Sequence, residues 1–185
     1  MAWIRVVDES NADEELLKVY QNVKGNRGKL SNILSVHSLN PSALQSHMDL
    51  YMAIMFGRSG LSREEREMIA IVVSSADQCP YCINHHAAAL GHYWNDEDKL
   101  KSFIDDYRTI DLSPRIRVML DCAYKLTTAP HAMVEADVQQ LRECELADED
   151  ILAINLIASY FNFVNRIALG LGVAFTPDEV EGYKY

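Results

Sequence analysis

Two cysteines and a histidine lie close together near the middle of this 185-residue chain. Cys79 and Cys82 are separated by two residues, and His86 follows Cys82 by four positions. On a helix, residues three and four positions apart share one face, so both thiols and the imidazole are expected to point in the same direction. A thiol pair beside an imidazole can carry out redox chemistry or bind a metal ion.

The two cysteines stand where a helix is expected to begin, because Pro80 suits the first turn of a helix. Unpaired N–H groups and the positive end of the helix dipole favour a thiolate there. Since a free cysteine has a pKa of about 8.5, such a site populates more of the nucleophilic thiolate at neutral pH. Cys82 and His86 could then form a thiol–imidazole pair in which the histidine removes the proton.

Glu67 is the carboxylate best placed to complete this group. It lies on the preceding predicted helix beside Met68 and Ile69, where an acid without a partner is costly to bury. There it could orient the imidazole and hold its charge. One cysteine would attack a substrate oxygen or a disulfide, and the other would resolve the product to an internal disulfide.

Two other interpretations fit the same residues. Zinc could take three ligands from the two cysteines and His86 and a fourth from His85 or His92, although structural zinc sites usually combine two well-separated ligand pairs. The dithiol could also be merely structural. The sequence favours the redox interpretation, because a helix-start proline, a histidine and an upstream glutamate accompany the thiols, and it predicts no metal and no cofactor.

The rest of the sequence predicts one helix after another, and therefore an all-α, single-domain helical bundle. N-terminal helices would occupy residues 1–60, the cysteine-bearing core 61–93 and C-terminal helices 94–185. Capping residues and apolar spacing place helices at about 13–23, 41–56, 62–78, 80–92, 134–144 and 148–171, with further helices opening at 95–96 and 113–114. The similar openings Leu61-Ser-Arg-Glu-Glu and Leu146-Ala-Asp-Glu-Asp suggest an internal duplication.

Several residues outside the cysteine cluster are interpreted as structural. His37 and His47 are predicted to be surface or satisfied core histidines. For Tyr51, which accompanies a stripe of methionines, a core or subunit interface is favoured over a substrate pocket. The remaining polar residues, in the aromatic stretch of the last helix, are predicted to cap or brace the site or to close a salt bridge. These are Asn162, Asn165 and Arg166.

The composition is that of an ordinary globular protein, with 49% hydrophobic and 24% charged residues. Its formal charge of −10 disfavours binding to nucleic acid or to an anionic membrane surface. The N-terminus does not have the pattern of a signal peptide, and no run of about 18 uninterrupted apolar residues predicts a spanning helix. Because the cysteines do not form a secreted disulfide framework, a cytoplasmic location is expected.

The spacing of the chemical residues resembles that of a known family. Glu67, Cys79, Cys82 and His86 match the pattern Glu, eleven residues, Cys, two residues, Cys, three residues, His. This is the motif of the alkyl hydroperoxidase D-like branch of the carboxymuconolactone decarboxylase superfamily. Residues 158–172 resemble the subgroup of peroxidase-related proteins, so the resemblance covers most of the chain.

The resemblance implies an all-helical enzyme that assembles into a homo-trimer or homo-hexamer and reduces organic hydroperoxides. It implies that Cys82 is the peroxidatic thiol, Cys79 the resolving thiol, and Glu67 with His86 a proton relay. A dithiol or a lipoylated protein is the expected reductant. The decarboxylase branch lacks the paired cysteines, so their presence argues against decarboxylation.

One position departs from the family pattern. The best-known member has a further histidine just before its second cysteine, where this chain has Tyr81. The peroxidase efficiency and the reductant could therefore differ. Two alternatives stay open beside the peroxidase: a general dithiol–disulfide oxidoreductase with little peroxidase activity, and a zinc-stabilised binding or assembly protein.

Overall fold

The computed structural model describes residues 2–180 and 183. Across these residues it contains α-helices and short 3₁₀ helices and no strand, so the all-α prediction is confirmed. The α-helices are α1 (Glu14–Arg27), α2 (Asn32–Ser35), α3 (Pro41–Phe56), α4 (Arg63–Ala76), α5 (Pro80–Gly91), α6 (Glu97–Asp106), α7 (Pro114–Thr128), α8 (Glu135–Glu143) and α9 (Asp148–Gly170).

Capping side chains set the helix starts that the sequence predicts. At α4 the Ser62 hydroxyl accepts a hydrogen bond from the Glu65 backbone N–H, and the Glu65 carboxylate accepts one from the Ser62 backbone. At α3 the Asn40 side chain accepts from a backbone N–H of the first turn, and proline follows it. Helix α1 runs further than predicted, to Arg27, and Gly28 caps it in the left-handed conformation (φ 83°). Four-residue α2 is too short to show a helical period.

Helix α4 lies at the centre of the fold and packs against α5, α7 and α9. Its residues from Glu65 to Ser74 are all buried. A helix enclosed on every side must be apolar all round, which explains the unbroken apolar run after Glu67. Since α5 follows α4 directly, the cysteine pair is anchored to the most buried helix of the protein.

The N-terminal helices form a smaller apolar cluster of their own. It joins α1 and α3 through residues that include Leu16, Tyr20, Leu44 and Met48. Helix α3 also packs against α9, which brings α3 side chains toward the cysteines. The division of the chain at residues 60 and 93 stays a prediction, as does the internal duplication.

Helix α9 is long and apolar enough, by length and composition alone, to cross a membrane. The expectation of no spanning helix rested on uninterrupted apolar runs, and asparagine and serine interrupt the apolar run of α9. In the structure 44% of its 18-residue apolar window is buried inside the protein. Helix α9 packs against α4 and α7, as a core helix of a bundle does.

Candidate active site

The turn between α4 and α5 places the two cysteines. Gln78 adopts the left-handed conformation (φ 54°) and reverses the chain after α4. The Cys79 backbone N–H then donates to the Ser74 carbonyl at 2.9 Å. Cys79 is the N-cap residue of α5, and Pro80 is the first residue of that helix. The predicted helix start at the cysteines is therefore present.

Helix α9 braces this turn with a buried asparagine. Asn165 Nδ2 donates to Asp77 Oδ2 at 3.0 Å, and the Ser74 hydroxyl donates to Asn165 Oδ1 at 3.2 Å. Both Asn165 and Ser74 are fully buried. Arg166 adds an exposed ion pair with Asp77, with a nitrogen–oxygen distance of 3.4 Å. The bracing contact and salt bridge predicted for the last helix thus come from Asn165 and Arg166, which act on the residues just before Cys79, whereas Asn162 Nδ2 donates to Thr127 Oγ1 on α7 at 2.9 Å.

Replacing Asn165 with leucine is expected to lower the free energy of unfolding by about 2 kcal/mol, because the buried Ser74 hydroxyl loses its acceptor and Asp77 keeps only Arg166 of the two side chains that α9 presents to it. Urea denaturation measures the change. Asn155→Leu is the matched control: Asn155 is exposed on the same helix, so the change there should stay within about 0.5 kcal/mol. Equal losses in the two variants would show that the brace contributes nothing specific.

Glu67 and His86 form a buried pair. The His86 Nδ1–H donates to Glu67 Oε2 at 2.6 Å, and Arg63 Nη2 lies 2.5 Å from Glu67 Oε1. Burial alone would raise the pKa of Glu67, but His86 and Arg63 outweigh burial and lower it. Because a carboxylate can only accept, Nδ1 of His86 is fixed as the donor. Nε2 is then the nitrogen that can exchange a proton with its surroundings.

A pocket of about 90 Å³ opens beside this pair. Glu67, Cys82 and His86 form part of its wall, whereas Cys79 is not among the lining residues. The other walls combine apolar and aromatic side chains, such as Tyr51, Tyr160, Phe161 and Val164, with polar ones, among them Arg27, Arg63, His47 and His85. The structure thus brings Glu67, Cys82 and His86 to one cavity and places Cys79 behind Cys82. Tyr51 packs against the core, as predicted, and also lines this cavity.

The two thiols are free and interact with each other. A hydrogen bond from the Cys82 thiol, together with the backbone N–H groups of Tyr81 and Cys82, lowers the pKa of Cys79 to about 7. The same hydrogen bond, with burial, raises the pKa of Cys82 well above its ordinary value. Sequence reasoning expected thiolate character at the helix start as a whole. The geometry concentrates the charge of the resting pair on Cys79.

The Cys79 thiolate is expected to titrate near pH 7, which ultraviolet thiolate absorbance measures in a background with Cys122 and Cys144 replaced by serine. Cys82→Ala removes the hydrogen-bond donor and will raise the pKa of Cys79. Cys82→Ser keeps a hydroxyl donor and will raise it less. An identical Cys79 pKa in Cys82→Ala and in the parent would contradict this assignment.

Tyr81 and His85 both interact with Glu179, a residue of the C-terminal segment. Tyr81 donates to Glu179 Oε2 at 2.7 Å, and His85 Nε2 lies 3.4 Å from the same oxygen. Tyr81 therefore does not replace the family histidine as a second partner of the thiols.

Among residues 2–180 and 183, no group of three histidine, cysteine, aspartate or glutamate side chains could hold a metal ion, which gives the zinc hypothesis no support.

Sequence reasoning missed Arg63 and Glu179. Arg63 precedes Glu67 by four residues on the same helix, and this spacing is a recognisable ion-pair signal. Glu179 is far from Tyr81 in the sequence, and no local pattern connects them. Arg63 pairs with the carboxylate that His86 contacts, and Glu179 lies beside His85.

The described residues thus form an all-helical fold with a Cys-x-x-Cys pair at the start of α5, beside a buried glutamate–histidine pair. The sequence pattern of the carboxymuconolactone decarboxylase family matches residues 41–125. A solved structure of an uncharacterized peroxidase-related protein from Silicibacter sp. TM1040 is 33% identical, with 93% of this chain and 90% of that chain covered and a TM-score of 0.83.

A second similar structure is the alkylhydroperoxidase AhpD core of an uncharacterized peroxidase-related protein from Ralstonia eutropha JMP134. It is 29% identical over 97% of this chain and 94% of that chain, with a TM-score of 0.86. The debrominase Bmp8 shares the fold at 22% identity, with 95% of this chain and 96% of that chain covered and a TM-score of 0.78. This chain belongs to the alkyl hydroperoxidase D-like branch of the carboxymuconolactone decarboxylase superfamily, a superfamily of enzymes, as its motif spacing predicts.

Proposed function

We propose that this protein is a cysteine-based peroxidase that reduces organic hydroperoxides through the Cys79/Cys82 dithiol. One observation carries the proposal: Cys82 and His86 line the same cavity, and a buried carboxylate fixes the histidine's donor nitrogen. A thiol beside an oriented imidazole is the arrangement that nucleophilic catalysis requires.

In the first step the Cys82 thiol gives its proton to Nε2 of His86 as its sulfur attacks the terminal oxygen of the hydroperoxide. The sulfur–oxygen bond forms while the oxygen–oxygen bond breaks, and an alkoxide leaves. The His86 imidazolium, stabilised by the Glu67 carboxylate, returns the proton to the alkoxide. The products are an alcohol and the sulfenic acid of Cys82, so the peroxide is reduced by two electrons and the sulfur oxidised by two.

In the second step the Cys79 thiolate attacks the sulfur of the Cys82 sulfenic acid. The disulfide bond forms, the sulfur–oxygen bond breaks, and hydroxide leaves and takes up a proton from solvent to become water. A pKa of about 7 makes Cys79 suited to this role at neutral pH. A dithiol, free or on a lipoylated protein, then reduces the disulfide by exchange and is itself oxidised.

The size and lining of the cavity favour a small organic peroxide. Its volume of about 90 Å³ is somewhat below the ~150 Å³ of an apolar cavity that binds benzene. Phe161 and Val164 give the alkyl group an apolar surface. These features support a compact alkyl hydroperoxide as the substrate.

Oxidation of the reduced protein by one equivalent of tert-butyl hydroperoxide tests the proposal. The Cys122→Ser/Cys144→Ser background limits the reaction to the two site thiols. The expected result is a Cys79–Cys82 disulfide and one equivalent of tert-butanol, with turnover on addition of dihydrolipoamide. Retention of both thiols and of the peroxide would overturn the proposal.

A general dithiol–disulfide oxidoreductase is the second candidate, favoured by the lowered pKa of Cys79 at the start of α5. Reduced protein mixed with equal concentrations of the hydroperoxide and oxidised lipoamide separates the two. Faster consumption of the peroxide supports the peroxidase, and faster consumption of lipoamide supports the oxidoreductase.

We also propose that the protein assembles with copies of itself and acts in the cytoplasm. The exposed apolar side chains of Leu152, Leu156 and Phe163 lie on one side of α9 and support an interface there. Light scattering will give the molar mass of a trimer or hexamer if the proposal holds, and of a monomer if it does not.

A further inference from the structure

A second chain of hydrogen bonds, separate from the Glu67–His86 pair, reaches the cavity. His47 on α3 contacts the Tyr160 hydroxyl through Nε2 at 2.6 Å. Its Nδ1 lies 3.2 Å from His37 Nε2, and His37 Nδ1 lies 2.9 Å from the Ile33 carbonyl oxygen. Tyr160 and His47 are buried, and Tyr160 lines the cavity together with Cys82. The proposed dithiol mechanism uses none of these residues.

The carbonyl at one end fixes the direction of every hydrogen bond in this chain. A carbonyl can only accept, so His37 Nδ1 donates to Ile33. A neutral His37 then accepts at Nε2, and His47 must donate to it from Nδ1. A neutral His47 accepts at Nε2, so the Tyr160 hydroxyl donates a hydrogen bond to His47. The lone pairs of the Tyr160 oxygen are then left to accept a hydrogen bond from another group.

Burial keeps the groups in these protonation states. It lowers the pKa of His37, and together with His37 it lowers the pKa of His47 to about 3. Burial, with Tyr51 and Cys82, raises the pKa of Tyr160 well above its ordinary value. At neutral pH both imidazoles are therefore neutral and the phenol keeps its proton.

We propose that the Tyr160 oxygen accepts a hydrogen bond from the O–H group of the hydroperoxide and so holds the terminal oxygen beside Cys82. This inference rests on the proposed peroxidase function. The terminal oxygen carries the O–H group and is also the atom that sulfur attacks. One hydrogen bond to it therefore both positions the reacting atom and selects peroxides with a free O–H group over peroxides alkylated on both oxygens.

Binding to the Cys82→Ser protein, which cannot turn over, tests the inference. The two probes are tert-butyl hydroperoxide and tert-butyl methyl peroxide, which differ in the O–H group. Tyr160→Phe is expected to weaken binding of the hydroperoxide by roughly 3- to 10-fold and to leave binding of the methylated peroxide unchanged. His47→Leu removes the acceptor of the tyrosine O–H group, which can then point into the cavity and donate to an oxygen of the methylated peroxide. The affinity for the hydroperoxide relative to the methylated peroxide should therefore fall in this variant too, because the methylated peroxide binds more tightly.

An unchanged affinity ratio in Tyr160→Phe, or no binding of either probe, would overturn the inference. If the parent protein still forms the Cys79–Cys82 disulfide with the hydroperoxide, the peroxidase proposal survives that failure. If the parent protein does not form this disulfide, the proposed peroxidase function itself is wrong. Nitrogen NMR of the histidines in the unaltered protein is a check that needs no variant: a proton found on Nε2 of His47 would also overturn the inference.

Discussion

Replacing Cys82 with serine will abolish hydroperoxide turnover, with kcat lower by roughly three orders of magnitude or more. A serine hydroxyl is a far weaker nucleophile than a thiolate and cannot form a sulfenic acid. Of the two site cysteines, only Cys82 lines the cavity, so Cys79 cannot take over the first step. Steady-state consumption of tert-butyl hydroperoxide with dihydrolipoamide measures the loss.

Cys122→Ser is the matched control for this prediction. Cys122 lies on α7, is half-buried, and is not among the residues of the cavity. Its replacement should leave turnover within about twofold of the parent, as expected for a thiol that contributes only packing. Parent-like turnover in Cys82→Ser would remove Cys82 from the mechanism.

Glu67→Gln is expected to produce the second-largest loss, lowering kcat/KM by roughly 100-fold. Glutamine keeps the shape of the side chain and can still accept from His86 Nδ1, but it cannot stabilise the imidazolium by charge. The variant should also unfold with about 3 kcal/mol less free energy, because Arg63 is left as a largely buried charge without its carboxylate. Glu67 is fully buried, so solvent does not screen this effect.

The stability difference between the parent and Glu67→Gln has a definite pH dependence. The pKa of Glu67 is lower in the folded protein than its ordinary value of 4.5. The unfolded chain therefore binds a proton first as the pH falls, and the contribution of Glu67 is fully present above about pH 4.5 and is lost below it. A difference that grows on acidification would have the wrong sign.

Glu64→Gln on the same helix is the control for Glu67→Gln. Glu64 Oε1 accepts a hydrogen bond from Trp94 Nε1 at 2.5 Å, and a glutamine oxygen can do the same. Activity in this variant should match the parent. A comparable fall in kcat/KM would mean that acidic charge on α4 matters in general and that Glu67 has no special role.

Local sequence signals predicted the helices and the cysteine turn well. Ser62 with Glu65, and Asn40 with Pro41, each mark a helix start through contacts within a few residues, and the structure contains both. The cysteines and His86 share one helix, so their common direction also follows from local spacing. The Arg63–Glu67 ion pair could have been predicted in the same way, because the two residues are four positions apart on one helix.

The features that the sequence did not reveal depend on packing between distant segments. His47 meets Tyr160, and Tyr81 meets Glu179, across about a hundred residues of sequence. Tyr51 has the apolar spacing of a core residue, because a cavity wall and a core present the same pattern. The unequal sharing of charge between the cysteines depends on which sulfur receives the thiol and backbone hydrogen bonds, and spacing does not encode that.

Trapping the first oxidised sulfur tests the central claim most directly. Cys79→Ser protein lacks the resolving thiol, so one equivalent of tert-butyl hydroperoxide should stop the reaction at the sulfenic acid of Cys82. The account predicts one dimedone label on Cys82, found by peptide mass spectrometry, and one equivalent of tert-butanol. A label on Cys122 or Cys144 with none on Cys82, or peroxide that persists unchanged, would contradict it.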